Sequence, residues 1–222
     1  MTTHIALSGA TGRMGQAITH EVNERRDVAI QSTLDKNKNL DDFFENADVV
    51  IDFSRPEATL KLAQATTIPL MVGTTGLDDD TLSALQMAAK RVPVLITANT
   101  SLGVAVMRHL AKEATRMLGA DYDISITDIH HKHKVDAPSG TAHAIDASIK
   151  EARKTAFVQH VAHRIGTVAG DHTVHFAGPS ERLEIRHVAE DRSLFAKGAI
   201  RAALWLKKQK PGFYSMDDVI KG

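Results

Sequence analysis

Between residues 129 and 142 the chain reads IHHKHKVDAPSGTA, three histidines and two lysines running into a Pro-Ser-Gly-Thr turn. The chain has twelve histidines, so a quarter of them lie in this one segment. Four readings compete: metal ligation, proton transfer, anion binding, or a solvated basic loop with no chemistry. Metal ligation fits poorly and no metal is expected. Neighbouring positions on an extended chain point to opposite faces, so of His130, His131 and His133 only the last two share one. No acid or cysteine at ligand spacing completes a set. The residues that follow favour an anion. Ser139 is a natural N-cap, Gly140 and Thr141 lead into a helix, and the N–H groups of a helix start attract negative charge. His131 and Lys134 add positive charge at the same place, which suits a small carboxylate and accommodates a dicarboxylate. His130 or Lys134 is also placed to donate a proton, since either shifts its pKa readily in a shielded cleft.

A second candidate stands at the N-terminus. In HIALSGATGRMGQAI, Gly9, Gly12 and Gly15 form a GxxGxxG turn between an expected strand and an expected helix. Glycine permits the tight turn and lets backbone N–H groups approach a pyrophosphate at the helix N-terminus. Asp35, twenty residues after Gly15, follows the next strand, where an acid accepts hydrogen bonds from an adenosine ribose. Lys36 and Lys38 beside it suit a 2′-phosphate, so NADH and NADPH both remain open. VGTTG (72–76) and TANTS (97–101) end later strands, where ligands of open α/β sheets bind. Taken alone, each is an ordinary Gly/Thr/Asn loop.

The elements that must position these groups fall into two sets. Through residue 100, apolar runs (DVAIQSTLD, ADVVIDFS, IPLMVGTTG, VPVLITANT) alternate with helical patterns (PEATLKLAQAT, DDDTLSALQMAAKR). That alternation predicts a parallel, doubly wound sheet of Rossmann type. After the helix SLGVAVMRHLAKEATRML the pattern changes. DYDISITDIHH reads as a strand ended by Asp136-Ala137-Pro138, and SGTAHAIDASIKEARK as a helix. In ERLEIRHVAE, Leu183, Ile185 and His187 alternate with charged residues, as in a half-buried strand of a mixed or antiparallel sheet. SLFAKGAIRAALWLKKQ returns to helix. The expected class is therefore α/β with a second α+β domain. The expected division is 1–100 with 192–222 for dinucleotide binding and 101–191 for substrate binding and oligomerisation. Trp205, Leu204 and Leu206 are expected in a helix core, and Met107 and Met117 in packing. His160, His163, His172, His175 and His187 are expected at surface or strand positions without chemistry.

Composition excludes several functions. The 222 residues carry 27 Lys+Arg and 27 Asp+Glu, a net charge of +0, so broad nucleic-acid binding is not expected. Cysteine is absent, which removes disulfides, thiolate metal sites and a cysteine nucleophile. No apolar run reaches the ~20 residues that span a membrane. Gly9 and Gly12 interrupt any signal-peptide core, so a cytoplasmic location is expected. A short-chain-type dehydrogenase would need a Tyr-x-x-x-Lys pair, but Ile126 and Asp218 lie four residues beyond the only tyrosines, Tyr122 and Tyr214. A semialdehyde dehydrogenase would need the missing cysteine. A dinucleotide-binding redox sensor would explain the first half and leave the histidine segment without a use.

DIHHKHKVDAPSGTA closely resembles the signature of the 4-hydroxy-tetrahydrodipicolinate reductase family, also called dihydrodipicolinate reductase. GATGRMG, VGTTG, ANTSLG and FAKGAIRAALWL resemble that family too, so the likeness runs nearly end to end. It implies an NADH- or NADPH-dependent reductase of diaminopimelate and lysine biosynthesis, assembled as a homotetramer, with a small dicarboxylate substrate that loses water as its ring is reduced. By the same resemblance Gly9, Ala10, Thr11, Gly12, Arg13 and Met14 hold the pyrophosphate. Asp35 meets the ribose and Lys36 any 2′-phosphate. Gly73, Thr74 and Thr75, with Thr97, Ala98, Asn99 and Thr100, frame the nicotinamide, and Arg192 joins the coenzyme set where the chain returns from the second domain. His130 matches the proton donor, with Lys134 a second candidate. His131, Lys134, Gly140 and Thr141, beside Ser139, match the substrate-carboxylate contacts. The chain departs from the family in having Asp128 where glutamate is usual, and in a short stretch between Asp35 and Asp48.

Overall fold

The structure, a computed structural model, describes residues 2–34 and 39–222. Asp35, Lys36 and Lys38 therefore lie outside the described residues. Two compact units are present: Met1–Ser101 with Ser193–Gly222, and Leu102–Arg192. The chain thus parts at 101/102 and 192/193, against the expected 100/101 and 191/192.

The first unit is a six-stranded parallel sheet. Its strands are β1 (Thr3–Ser8), β2 (Val28–Leu34), β3 (Val49–Asp52), β4 (Leu70–Val72), β5 (Pro93–Ile96) and β10 (Gly212–Tyr214), in the order β10-β5-β4-β3-β1-β2. Ile5, Ala6, Leu7, Val49, Val50 and Ile51 are all fully buried, which requires cover on both faces. On one face α2 (Leu40–Phe44), α3 (Pro56–Ala65) and α4 (Asp79–Ala88) supply Phe43, Leu62, Ala63 and Leu85 to a common core. Elsewhere α7 (Ser193–Leu206) packs on β3, β4 and α1 (Arg13–Asn23) through its small side chains, among them Ala196, Ala199 and Ala203. Proline begins α3, and Asp78 caps α4 by accepting the Thr81 N–H at 2.8 Å. The short helix α8 (Met216–Lys221) follows β10.

The second unit opens with α5 (Leu102–Leu118) and then lays β6 (Asp123–His130), α6 (Gly140–Ala152), β7 (Val158–Arg164), β8 (Asp171–Ala177) and β9 (Arg182–Val188) into a mixed sheet of order β7-β6-β8-β9. β6 pairs parallel with β7 and antiparallel with β8. Alternation along β6 turns Ile124, Ile126, Asp128 and His130 inward together, toward the core formed with α5 and α6.

Several details depart from the sequence-based expectation. β6 ends at His130 and residues 131–139 form the turn, so Asp136-Ala137-Pro138 lies well past the strand. The strand signal fails there because the polar run after His130 has no sheet partner to bury against. Met107 is buried, but Met117 is 81% exposed at the end of α5 and does not pack. In β9, Leu183 is exposed and only Ile185 and His187 are half-buried, as befits an edge strand. Leu206 is buried, with Leu204 and Trp205 half-buried; the Trp205 ring meets Tyr214 edge-on at 5.3 Å.

Candidate active site

In the first unit the candidate residues gather at the carboxyl ends of β1, β3, β4 and β5. Neighbours of β1 are β2 on one side and β3 on the other, so the chain reverses direction across the sheet there, and the crevice that opens is where such folds take ligands. Gly9 begins the turn after β1 with φ +80°, a left-handed value, and a Cβ there would run into the Phe53 backbone carbonyl. At Gly15 a Cβ would strike the Gly9 carbonyl and the Ala10 backbone. Gly12 caps α1 with no side-chain hydrogen bond, and no acid occupies the first turn. A helix start left without a side-chain acceptor, behind a turn that leaves no room for a Cβ at Gly9 or Gly15, fits a dinucleotide pyrophosphate. Ala10, Thr11, Arg13 and Met14 lie in or directly after that turn and are exposed or half-buried.

Buried Asp52, at the end of β3, ties the later turns together. Its oxygens accept from Thr59 and Ser54, each at 2.5 Å, and from Thr74 at 2.9 Å; Thr74 Oγ1 in turn accepts the Ser54 N–H. Gly73 is bare because the Phe53 ring lies where its Cβ would go. Thr75 and Ala98 are exposed. Thr97 donates to the Asn99 carbonyl at 2.7 Å, Asn99 Oδ1 accepts the Ser101 N–H, and Thr100 donates to the Phe195 carbonyl. Asp52 and Phe53 were not singled out from sequence; the signal available was an acid closing a wholly apolar strand. Arg192 is exposed, between β9 and α7.

In the second unit the histidine segment is split by the strand end. His130 is buried, whereas His131 is half-buried and His133 exposed, their rings 6.4 Å apart. Sheet register supplies the rest. Asp128 stands opposite His172 on β8, and His130 beside Arg164 on β7. Arg164 donates to Asp128 Oδ1 at 2.7 Å and to the Asp136 carbonyl at 2.5 Å, while the Ser139 N–H donates to Asp128 Oδ2 at 2.7 Å. Ser139 Oγ accepts the Ala142 N–H as N-cap and lies 3.2 Å from His172 Nε2. The His130 and His172 rings meet edge-on at 5.2 Å.

Electrostatics follow from that packing. Burial alone would raise the Asp128 pKa, but the hydrogen bonds from Arg164 and Ser139 bring it down to about 2. Burial lowers His172 to about 4, helped by His130, His187 and Lys134 and opposed by Asp128. Burial also lowers His130; Asp128 opposes that, and Lys134 and Arg164 add to it. A ring nitrogen of His130, one of His172 and an Asp128 oxygen lie within 4.8 Å of one another. The Arg164 guanidinium on that same carboxylate disfavours a cation among them.

Not every first-turn N–H of α6 is open. Ala142 is served by the cap, and the Gly140 N–H faces Asp136 Oδ2 at 3.4 Å. Asp136 also pairs with Lys134 Nζ at 2.8 Å. An internal carboxylate thus rests against two groups expected to hold a substrate carboxylate. Thr141 is half-buried one residue on.

Comparison with known proteins now decides the family. The family model described as dihydrodipicolinate reductase, N-terminus matches residues 3–100, and that described as dihydrodipicolinate reductase, C-terminus matches residues 103–220. The chain belongs to the dihydrodipicolinate reductase family. It is 39% identical to the 4-hydroxy-tetrahydrodipicolinate reductase of Campylobacter jejuni, with 97% of this chain and 98% of that one covered. To that of Zymomonas mobilis it is 38% identical, covering 97% and 96%. Among solved structures, a dipicolinate-bound dihydrodipicolinate reductase from Paenisporosarcina sp. TG-14 shares the fold, with a TM-score of 0.84, 21% identity and 97% and 98% coverage. A Corynebacterium glutamicum DAP dehydrogenase in complex with DAP is similar more distantly, at a TM-score of 0.60 and 14% identity. No helix among the described residues is long and apolar enough to cross a membrane.

Proposed function

We propose that this chain reduces 4-hydroxy-tetrahydrodipicolinate to tetrahydrodipicolinate, with loss of water, in diaminopimelate and lysine biosynthesis. The observation that carries the reading is the intact His130–Lys134 and Ser139–Thr141 constellation within a chain that matches the reductase family through both of its halves. The reduced nicotinamide of NADH or NADPH supplies the hydride. Gly9 to Met14 hold its pyrophosphate on the α1 N-terminus, Asp35 and Lys36 take the adenosine side, and Arg192 belongs to the same set. Thr74, fixed by Asp52, and the 97–100 turn shape the ground on which the ring lies. In the second unit His131, Lys134 and the first turn of α6 grip the substrate carboxylates, displacing Asp136 from Lys134 and Gly140. His130 or Lys134 supplies the proton that balances the hydride. The relative solved with dipicolinate supports a dicarboxylate ligand. We place the enzyme in the cytoplasm as a homotetramer, with exposed Leu183 and Val188 of β9 contributing to its contacts.

The test is loss of reduced-nicotinamide absorbance with substrate made in the cuvette from pyruvate and aspartate semialdehyde by the upstream synthase, NADH and NADPH side by side. Turnover should fall about 10²–10⁴-fold in His130→Ala or Lys134→Ala, whichever is the donor. Tight coenzyme binding with no turnover by the intact protein would sink the reading and leave a sensor.

A further inference from the structure

His130 Nδ1 is buried and has no hydrogen-bond partner among the described residues. The acidic atom facing it is Asp128 Oδ1, 3.9 Å away, on a side chain that is 1% exposed. The other ring nitrogen, Nε2, lies on the side of Gly170, where a Cβ would stand 3.1 Å from it. A missing side chain thus keeps clear the edge of the imidazole that must reach substrate, while a carboxylate stands behind the opposite edge. That carboxylate cannot swing away, because Arg164 holds one oxygen and the Ser139 N–H the other.

We propose that Asp128 is a positioning residue for His130: pinned by Arg164 and Ser139, its charge faces Nδ1 across 3.9 Å and favours the tautomer with its hydrogen there, which leaves Nε2 to carry the transferable proton. The inference rests on the reductase reading of this site. In the step itself the Nε2–H bond of the imidazolium breaks, and the proton joins the substrate atom whose electron pair accepts it. The ring is left neutral with its hydrogen on Nδ1, Asp128 remains a carboxylate throughout, and a solvent proton recharges Nε2. The tautomer left behind is the one the carboxylate favours, so no ring flip separates one turnover from the next. His172, anchored by Ser139 and packed edge-on against His130, limits rotation of the ring out of this alignment.

Charged and titratable groups reach His130 from four directions. Asp128 stands on its own strand, Lys134 and Asp136 on the following turn, Arg164 on β7 and His172 on β8. Asp128 and Asp136 favour the imidazolium; burial, Lys134 and Arg164 oppose it. Removing the Asp128 charge therefore lowers the pKa of His130, and the alkaline limb of kcat moves to lower pH.

The decisive measurement is made on the unsubstituted protein. In the intact protein labelled with 15N-histidine, the neutral His130 ring, its signal assigned with His130→Gln, should carry its hydrogen on Nδ1. A hydrogen on Nε2 overturns the proposal, whether or not the protein turns over the expected substrate. Activity then supplies a second arm, and absence of wild-type turnover would fault the reductase reading alone. Asp128→Asn should lose about 10- to 100-fold in kcat, with KM within about twofold and the alkaline limb moved about one pH unit toward acid. Asp128→Glu should restore the limb. A limb that stays in place in Asp128→Asn would also overturn the proposal, making Lys134 the donor.

Discussion

The two units prepare their sites by opposite means. In the first, the candidate coenzyme site is shaped by backbone and by missing side chains: Gly9, Gly15 and Gly73 stand where a Cβ would collide with Phe53, Gly9 or Ala10. In the second, it is shaped by buried side chains whose charges restrain one another, with Asp128 between Arg164 and Ser139 and two histidines beside it. A steric site tolerates a change of pH and fails at the addition of one methyl group. An electrostatic site tolerates small changes of shape and answers to protons.

The largest effect should come from breaking the steric side. Gly15→Ala places a methyl group against the Gly9 carbonyl, and overpacking of this kind costs about 1–3 kcal/mol. Coenzyme affinity measured by calorimetry should weaken by up to about 100-fold for NADH and NADPH alike. Unchanged affinity would mean that the turn does not face the coenzyme.

Acid sharpens the contrast. With a folded pKa of about 4 against an ordinary 6.5, His172 leaves the unfolded chain binding more protons between those values. Its contribution to stability is whole above about pH 6.5 and is lost as pH falls toward 4, at most about 3 kcal/mol. His130 and His187 shift in the same direction. Asp128, lowered to about 2, adds a loss of the same sign only below its ordinary 3.8. Urea midpoints between pH 7 and pH 4 should therefore fall steeply in the wild type and less so in His172→Phe. Parallel slopes would show that His172 does not stay neutral in the folded state.

The smallest effect concerns Asp136. Its pair with Lys134 is partly exposed, and such pairs contribute about 0.2–1 kcal/mol. Asp136→Asn should lower the substrate KM by up to about fivefold at unchanged coenzyme affinity, as a competing carboxylate is removed. A raised KM would instead make Asp136 the residue that aims Lys134 at the substrate.

How much was legible follows the same division. The parallel sheet could be read because strands alternate with helices through residue 100 and β3 lies in a continuous apolar run, as a strand covered on both faces requires. The short elements β10, α2 and α8, and the polar edge strand β7 with its VQHVAHR sequence, carry too few apolar positions to announce a period. The histidine segment pointed to its chemistry through residue types and the Ser139 cap. His172 did not stand out, although in DHTVHFA it shares the alternating phase of the buried Val174 and Phe176.

Local sequence by itself determined the glycine turn, the capped α6 start, and the run of histidines and lysine ahead of it, because each depends on contacts within a few residues. Only the tertiary structure decided which of those histidines is buried and what stands behind it. Asp128, Arg164 and His172 lie up to 44 positions apart in the chain and meet because β6 pairs with β7 and β8 in one register. A slip of one residue would turn Asp128 and His130 away from that face together.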